Sequence, residues 1–262
     1  MSLLAVVVIG LLAALAERCW PARPLPRVPG WWPRVLLLNL SQVGAVLLAG
    51  ALLDPWLRAR EVGLLPSSGL QDLPPLVQGS LAYLVSACIY YVWHRARHEV
   101  PILWRWLHQT HHAPERIEVF MAFYKHPAEA LLNVLLSSGI AFLLLGCSAE
   151  GAAVSVLLSG SAELFYHLNL RTPRWLGYLV QRPEMHRIHH QLGQHRHNYA
   201  DLPLIDLICG TYLNPLPETE VTCGLGRELE LRFEDQLLGR DLTAVSGDEP
   251  LRFLPRWLGG NA

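Results

Sequence analysis

The sequence predicts an all-α protein, a multi-pass transmembrane helical bundle of about four to five spans or hairpin segments with a histidine-rich helical cap. Three observations carry this. Hydrophobic residues make up 52% of the 262 and charged ones 16%, with mean hydropathy +0.25, whereas ordinary globular proteins are about a quarter charged. Long apolar runs recur along the chain, on the scale of the roughly 20 residues that cross a bilayer as a helix. All twelve histidines lie between His94 and His197, a distribution that chance placement does not give.

The first apolar run, Leu3–Ala16, reads as an uncleaved span. Ala14-Leu15-Ala16 mimics a signal-peptide cleavage site, but the leading MSLL has no positive charge to open one. Val35–Leu53 and Leu76–Trp93 come closest to full spans. Leu131–Cys147 and Ala152–Tyr166 are shorter and are separated by Glu150-Gly151. They read as a tight helical hairpin that dips into or just crosses the bilayer. The competing architecture is a soluble bundle of buried helices. Pro21–Pro33 and Gly63–Pro75, rich in proline and glycine, read as loops. After Pro217 the chain turns polar (GRELELRFEDQLLGRDL) and reads as a tail with one helix.

Orientation follows from arginine, because Lys125 is the only lysine. The first link carries Arg18, Arg23, Arg27 and Arg34. The second has Arg58 and Arg60, diluted by Asp54, Glu61 and Asp72. The segment after the third span carries Arg95, Arg97, Arg105, Arg116 and Lys125. By the positive-inside rule the first and third links are cytoplasmic, and the histidine-rich segments fall on that side. The chain then divides into N-terminal spans and loops (1–75), a histidine-bearing unit (76–215) and a cytoplasmic tail (216–262).

Composition excludes other classes. A net charge of −1 offers no basic field to nucleic acid. Cys19, Cys88, Cys147, Cys209 and Cys223 are scattered and form no CxxC, so no disulfide framework, zinc ribbon or iron–sulfur motif is implied.

The histidines form three clusters with one grammar. HRARH sets His94 and His98 at i, i+4 after the apolar run ending YYVW. HQTHH supplies His108, His111 and His112; HRIHH supplies His186, His189 and His190. Residues at i, i+3 and i+4 share a helical face with Cβ atoms about 5–6 Å apart, and a metal–imidazole bond is about 2.0–2.1 Å. Such side chains can converge on one ion or serve two adjacent ones. A lone histidine is usually a surface or satisfied core residue, and one HxxxH is common by chance. Three clusters, each at the polar edge of an apolar segment, are not.

HxxxH, HxxHH and HxxHH in this order among membrane spans resemble the fatty acid hydroxylase / sterol desaturase superfamily of membrane di-iron oxygenases. The resemblance runs from about Tyr90 to Pro215. It includes LWRWLHQTHH, KHPAE at His126, FYHLN at His167, and HNYAD followed by IDLICGTY. Where the family usually has Asn-Tyr-Gly and Trp-Asp, this chain has Asn198-Tyr199-Ala200 and Ile205-Asp206.

The resemblance makes 76–215 a di-iron catalytic domain. It implies that His94, His98, His108, His111, His112, His186, His189 and His190 bind two irons, with His167 a ninth ligand and His126 either a ligand or a support. Fatty acid 2-hydroxylases tend to carry another histidine four residues before His167; here that place is Glu163. Glu163 is a candidate catalytic residue that could be a ligand, an acceptor for a ligand's N–H, or the partner of an arginine. His195 and His197 sit in a loop and read as surface or supporting residues. Asn198, Asp201 and Asp206 are candidates to accept histidine N–H bonds, which metal-bound imidazoles usually require.

Imidazole suits iron, zinc and copper alike, but zinc cannot cycle redox states. Paired irons can share the electrons that split O₂ to attack an unactivated C–H bond. The implied activity is therefore O₂-dependent hydroxylation or desaturation of a lipid taken from the bilayer, on a fatty acyl, sterol or isoprenoid chain. The superfamily also holds sterol methyl oxidases and ether-lipid monooxygenases, and fold does not choose among them. A zinc hydrolase is disfavoured by the absence of HExxH. A membrane metal-binding or metal-transport protein without redox catalysis is the alternative, but a transporter's ligands should lie near the midplane. No GxGxxG follows a strand and no cysteine set holds a cluster. Electrons are therefore expected from an external ferredoxin or cytochrome b5-type carrier with its reductase, docking on the arginines near the histidines.

Overall fold

A computed structural model of the chain describes residues 2–59, 69–194 and 196–243. Arg60, Glu61, the first part of the Gly63–Pro75 loop (63–68), His195 and the tail beyond 243 lie outside the described residues. The described residues are all-helical, with one isolated bridge between Gln191 and Cys223.

Among the described residues four helices are long and apolar enough to cross a membrane: α1 (Ser2–Cys19), α2 (Trp31–Arg58), α3 (Pro75–Glu99) and α5 (Pro127–Leu144). Between α3 and α5 a shorter helical segment, α4 (101–112), carries the second histidine cluster. α6 (Ala149–Tyr166) packs along α3 and α1. Pro75 and Pro127 each open their helix at a first-turn position, where the missing N–H costs nothing. Large apolar side chains such as Leu4, Leu15, Leu37, Leu48 and Leu84 point outward, as a lipid-facing bundle requires.

The sequence expectation put the break of the last hairpin at Glu150-Gly151. The break falls at Leu145–Ser148 instead. Ser148 caps α6 by accepting the Gly151 N–H at 3.1 Å, and Glu150 occupies the first turn, where a carboxylate meets the positive end of the helix dipole. Gly151 also permits close packing. A Cβ on the facing Gly79 of α3 would sit 2.4 Å from the Val154 Cβ, so glycine is needed for this approach, as in other membrane helix pairs. The Gln78 side chain locks the contact by accepting the Ser148 N–H at 2.8 Å.

The chain passes back and forth so that the link after α1, the α4 region and the described residues after α6 meet at one end. Glu17, in the last turn of α1, is buried and accepts the backbone N–H groups of Val119 and Asn169 at 3.1 and 3.0 Å. Trp31 at the start of α2 stacks on Tyr124 with ring centroids 5.3 Å apart and donates its indole N–H to Glu118 at 2.7 Å. At the other end Ser138 donates to Asp54 at 2.7 Å.

The predicted single tail helix is two short ones, α9 (Arg227–Glu230) and α10 (Phe233–Leu237). Both pack on the cap: Arg34 donates to the Glu230 carbonyl at 2.9 Å, and Gln109 donates to the Arg240 carbonyl at 2.7 Å.

Candidate metal centre

Nine histidines meet at the capped end. The ligand-capable atoms of His94, His98, His108, His112 and His189 lie within 4.8 Å of one another, and so do those of His111, His167, His186 and His190. The two groups abut, with His112 and His190 stacked at 4.1 Å. α3 delivers His94 and His98 on successive turns. In α4 a π-type turn over Trp104–His108 leads into His111 and His112, and such local rewinding is frequent at functional sites. α7 (Pro183–His189) brings His186 and His189, with His190 at its cap. His167 closes α6.

One face of most rings is tied down. His94 Nδ1 lies 2.7 Å from the Tyr199 carbonyl, His111 Nδ1 3.2 Å from that of Tyr124, His167 Nδ1 2.8 Å from that of Glu163, and His189 Nδ1 2.8 Å from that of His197. His108 Nδ1 lies 3.0 Å from the Glu129 carboxylate. A carbonyl can only accept, so the Nδ1 atoms of His94, His111, His167 and His189 carry their protons and Nε2 is left with a lone pair. Metal-bound histidines are usually oriented this way.

The opposite faces converge. His186 Nε2 is 3.0 Å from both His167 Nε2 and His190 Nε2, and His167 Nε2 is 3.4 Å from His111 Nε2. With metal–nitrogen bonds of about 2.0–2.1 Å, neighbouring ligands in octahedral or tetrahedral shells are about 2.9–3.4 Å apart. His94 Nε2 and His108 Nε2 are buried and have no hydrogen-bond partner. The donor set therefore suits two metal ions.

Burial also keeps the rings neutral, the form that binds metal. It holds His108, His111, His112 and His186 well below the ordinary imidazole range and His167 down to about 3.

The remaining candidates fall outside both groups. His126 accepts the Ala128 N–H at Nδ1 and donates from Nε2 to the Leu237 carbonyl, which fixes the start of α5 and engages both nitrogens. The Glu163 side chain pairs with Lys125, while its backbone carbonyl holds His167. His197 acts through its carbonyl on His189. His197 and Asn198 both take left-handed backbone, φ 67° and 49°, an uncommon conformation outside glycine, and Asn198 secures it by donating to the Met185 and Leu213 carbonyls at 3.0 and 2.9 Å. Asp206 accepts the Tyr199 and Ala200 N–H groups at 2.8 and 2.9 Å. Asn198 and Asp206 thus hold the backbone that holds the rings, where the sequence reading had them accept from the rings directly. Asp201 lines the neighbouring cavity, and burial pushes its carboxyl up to about 7.

Sequence reasoning missed a layer of support. Arg97 and Glu129 form a buried pair on His108. Arg182, fully buried, donates to Asn214 at 2.6 Å and to the Thr172 carbonyl at 2.8 Å, with Glu184 at 3.1 Å, and this fixes the chain entering α7. Three arginines near the histidines are ion-paired: Arg95 with Glu99, Arg97 with Glu129 and Arg116 with Glu118.

A cavity of about 740 Å³ reaches from His94, His108, His111 and His186 into the bundle, walled by apolar residues such as Val6, Leu40, Val43 and Leu47. Lys125, Glu163 and Asp201 line it as well.

Fold and site together define a membrane protein with two buried histidine clusters, consistent with a two-metal site, that open into an apolar cavity. The Fatty acid hydroxylase family model matches residues 80–211, half of the chain, and the chain belongs to that family. It is 26% identical over 158 residues to Sphingolipid C4-hydroxylase sur2 of Schizosaccharomyces pombe, covering 59% of this chain and 54% of that protein. It is 26% identical over 159 residues to Very-long-chain aldehyde decarbonylase GL1-9 of Oryza sativa, covering 56% and 60%. It is 28% identical over 137 residues to Sphinganine C4-monooxygenase 2 of Arabidopsis thaliana, covering 51% and 53%. In each case the chain spans less than two thirds of the relative's length. No solved structure matches the chain.

Proposed function

We propose that the chain is a di-iron oxidoreductase that uses O₂ to hydroxylate a C–H bond of a bilayer lipid, with residues 76–215 as its catalytic unit. One observation carries the reading: histidines tied at Nδ1 and convergent at Nε2 border a cavity walled by lipid-compatible side chains. His94, His98, His108, His112 and His189 would hold one iron, and His111, His167, His186 and His190 the other. Two irons so held would supply the oxidising power that O₂ needs to attack an unactivated C–H bond. Hydroxylation is favoured over desaturation because it requires one C–H cleavage rather than two.

The chain's own residues do the rest. The apolar wall binds the lipid chain and keeps water from the reacting carbon. The carbonyls of Tyr199, Tyr124, Glu163 and His197 keep the rings aimed. Glu163, ion-paired with Lys125 on the cavity wall, serves as the catalytic carboxylate. His126 keeps the start of α5 in register beneath the second cluster. The arginine distribution sets the histidine end in the cytoplasm, so a reporter fused after Asn214 reads as cytoplasmic.

The test is the purified chain in lipid nanodiscs with an electron donor. About two irons per chain and an O₂-dependent hydroxylated lipid are expected, and His111→Ala loses both. Full activity with zinc alone overturns the reading.

A further inference from the structure

Packed against the histidine end of α3, helix α8 (Pro203–Cys209) turns an apolar face outward. Leu204, Leu207 and Ile208 stand at i, i+3 and i+4 and so share that face, with Ile208 77% exposed. The inner face is fixed: Ile205 packs with Tyr91, Tyr199 and Ala200, and Asp206 is buried. Beside α8 the Arg174–Tyr178 turn exposes Trp175 and Tyr178, 61% and 63%, followed by Leu179. This turn is also held in place. Asn214 donates to the Arg174 carbonyl at 3.0 Å, and the Tyr212 hydroxyl donates to the Gly177 carbonyl at 3.2 Å. Arg171 and Arg174 are exposed alongside. Single exposed leucines are ordinary, but adjoining apolar and aromatic side chains on fixed backbone form a surface with a use.

Depth identifies the occupant. α8 packs on α3 through Tyr91, whose hydroxyl also lies 3.2 Å from Thr211 Oγ1. At 1.5 Å per residue Tyr91 is about 24 Å along α3 from Pro75, inside a hydrocarbon layer about 30 Å thick. The next residue of α3, Val92, is itself 65% exposed, so the α8 surface continues the lipid-facing side of a spanning helix. Trp and Tyr at headgroup level, with arginine beside them, are the pattern of an interfacial anchor.

We propose that α8 and the Arg174–Tyr178 turn are seated in the bilayer leaflet at the histidine end. Leu204, Leu207 and Ile208 lie below the headgroups, and Arg171 and Arg174 meet lipid phosphates. The seat connects to the metal centre, since Asp206 on α8 holds the Tyr199 backbone whose carbonyl takes the His94 proton.

Spin-label depth measurement on the full chain tests this. With the exposed Cys19, Cys88 and Cys209 replaced by serine, a nitroxide is placed at Ile208→Cys, or at Leu204→Cys if that variant folds poorly, in nanodiscs containing anionic phospholipid. A reference label at Leu84→Cys marks mid-span. The expected signal favours oxygen over a water-soluble nickel reagent, shallower than Leu84 and about 5–10 Å below the phosphates. Preference for the nickel reagent overturns the proposal and leaves the surface open to a soluble partner. Shielding from both reagents also overturns it, because another protein copy then covers the face.

Discussion

Glu129 Oε1 lies 3.0 Å from His108 Nδ1, and the same oxygen takes the Arg97 guanidinium. All three residues are buried. The carboxylate thus fixes the ring of a candidate metal ligand while it neutralises the buried guanidinium beside that ring.

Glu129→Gln keeps an acceptor of the same shape but removes the charge. Loss of such a support typically costs about 10–100-fold in metal affinity, and that is the expected loss in chelator competition. Glu129→Ala leaves Arg97 buried without its partner, at about 3–5 kcal/mol, and should accumulate poorly. Unchanged metal affinity in Glu129→Gln would remove the residue from this role.

Glu163 offers a cleaner separation. Its backbone carbonyl orients His167, and its side chain meets Lys125. Side-chain substitution spares the first contact. Both Glu163→Gln and Glu163→Asp should therefore keep their iron, while turnover falls further in Glu163→Gln, which cannot pair with the lysine as an ion. Wild-type turnover in both variants would make the carboxylate a bystander.

Much of this was legible in the sequence because it rests on periodicity. Apolar runs located the helices, and i, i+3, i+4 spacing put the histidines on common faces. Backbone carbonyls carry no sequence signal, so the contacts from Tyr199, Tyr124 and His197 to the rings could not be read. Glu129 stood in plain view in KHPAE, but pairing with Arg97 depends on how α3 and α5 face each other. The hairpin break was misplaced because Glu150 looks like an interruption until Ser148 is seen to cap the helix.

Stability should fall with acid. Burial lowers the affinity of His108, His111, His112 and His186 for protons below the ordinary value of 6.5, and that of His167 to about 3. The unfolded chain protonates these rings as pH drops through 6.5 and the folded chain does not. Their contribution is therefore present above 6.5 and lost below it, at about 1.4 kcal/mol per ring per pH unit while the folded rings stay neutral. Thermal unfolding of the metal-stripped protein should show Tm dropping from pH 7 to pH 5. A flat profile would contradict neutral burial.

Electrons provide the last test. Oxidising one C–H bond with O₂ to give an alcohol and water takes two electrons from outside the site, and this sequence carries no fingerprint for a nicotinamide, haem or iron–sulfur carrier. With NADPH and O₂ alone the purified protein should be inactive, and a ferredoxin with its reductase, or a cytochrome b5 pair, should start turnover. Such carriers are typically acidic. Arg95, Arg97 and Arg116 are already neutralised by Glu99, Glu129 and Glu118. Arg105 and Arg187 are half-buried, and Arg196 is exposed near the third cluster. With three of these arginines already paired, raising salt through the range where the Debye length shrinks from about 10 to 3 Å should slow carrier-dependent turnover only modestly. Arg196→Glu should reproduce most of that loss at low salt by raising the carrier's KM while iron content stays unchanged. Turnover without any carrier protein, or no response to Arg196→Glu, would place the electron path elsewhere.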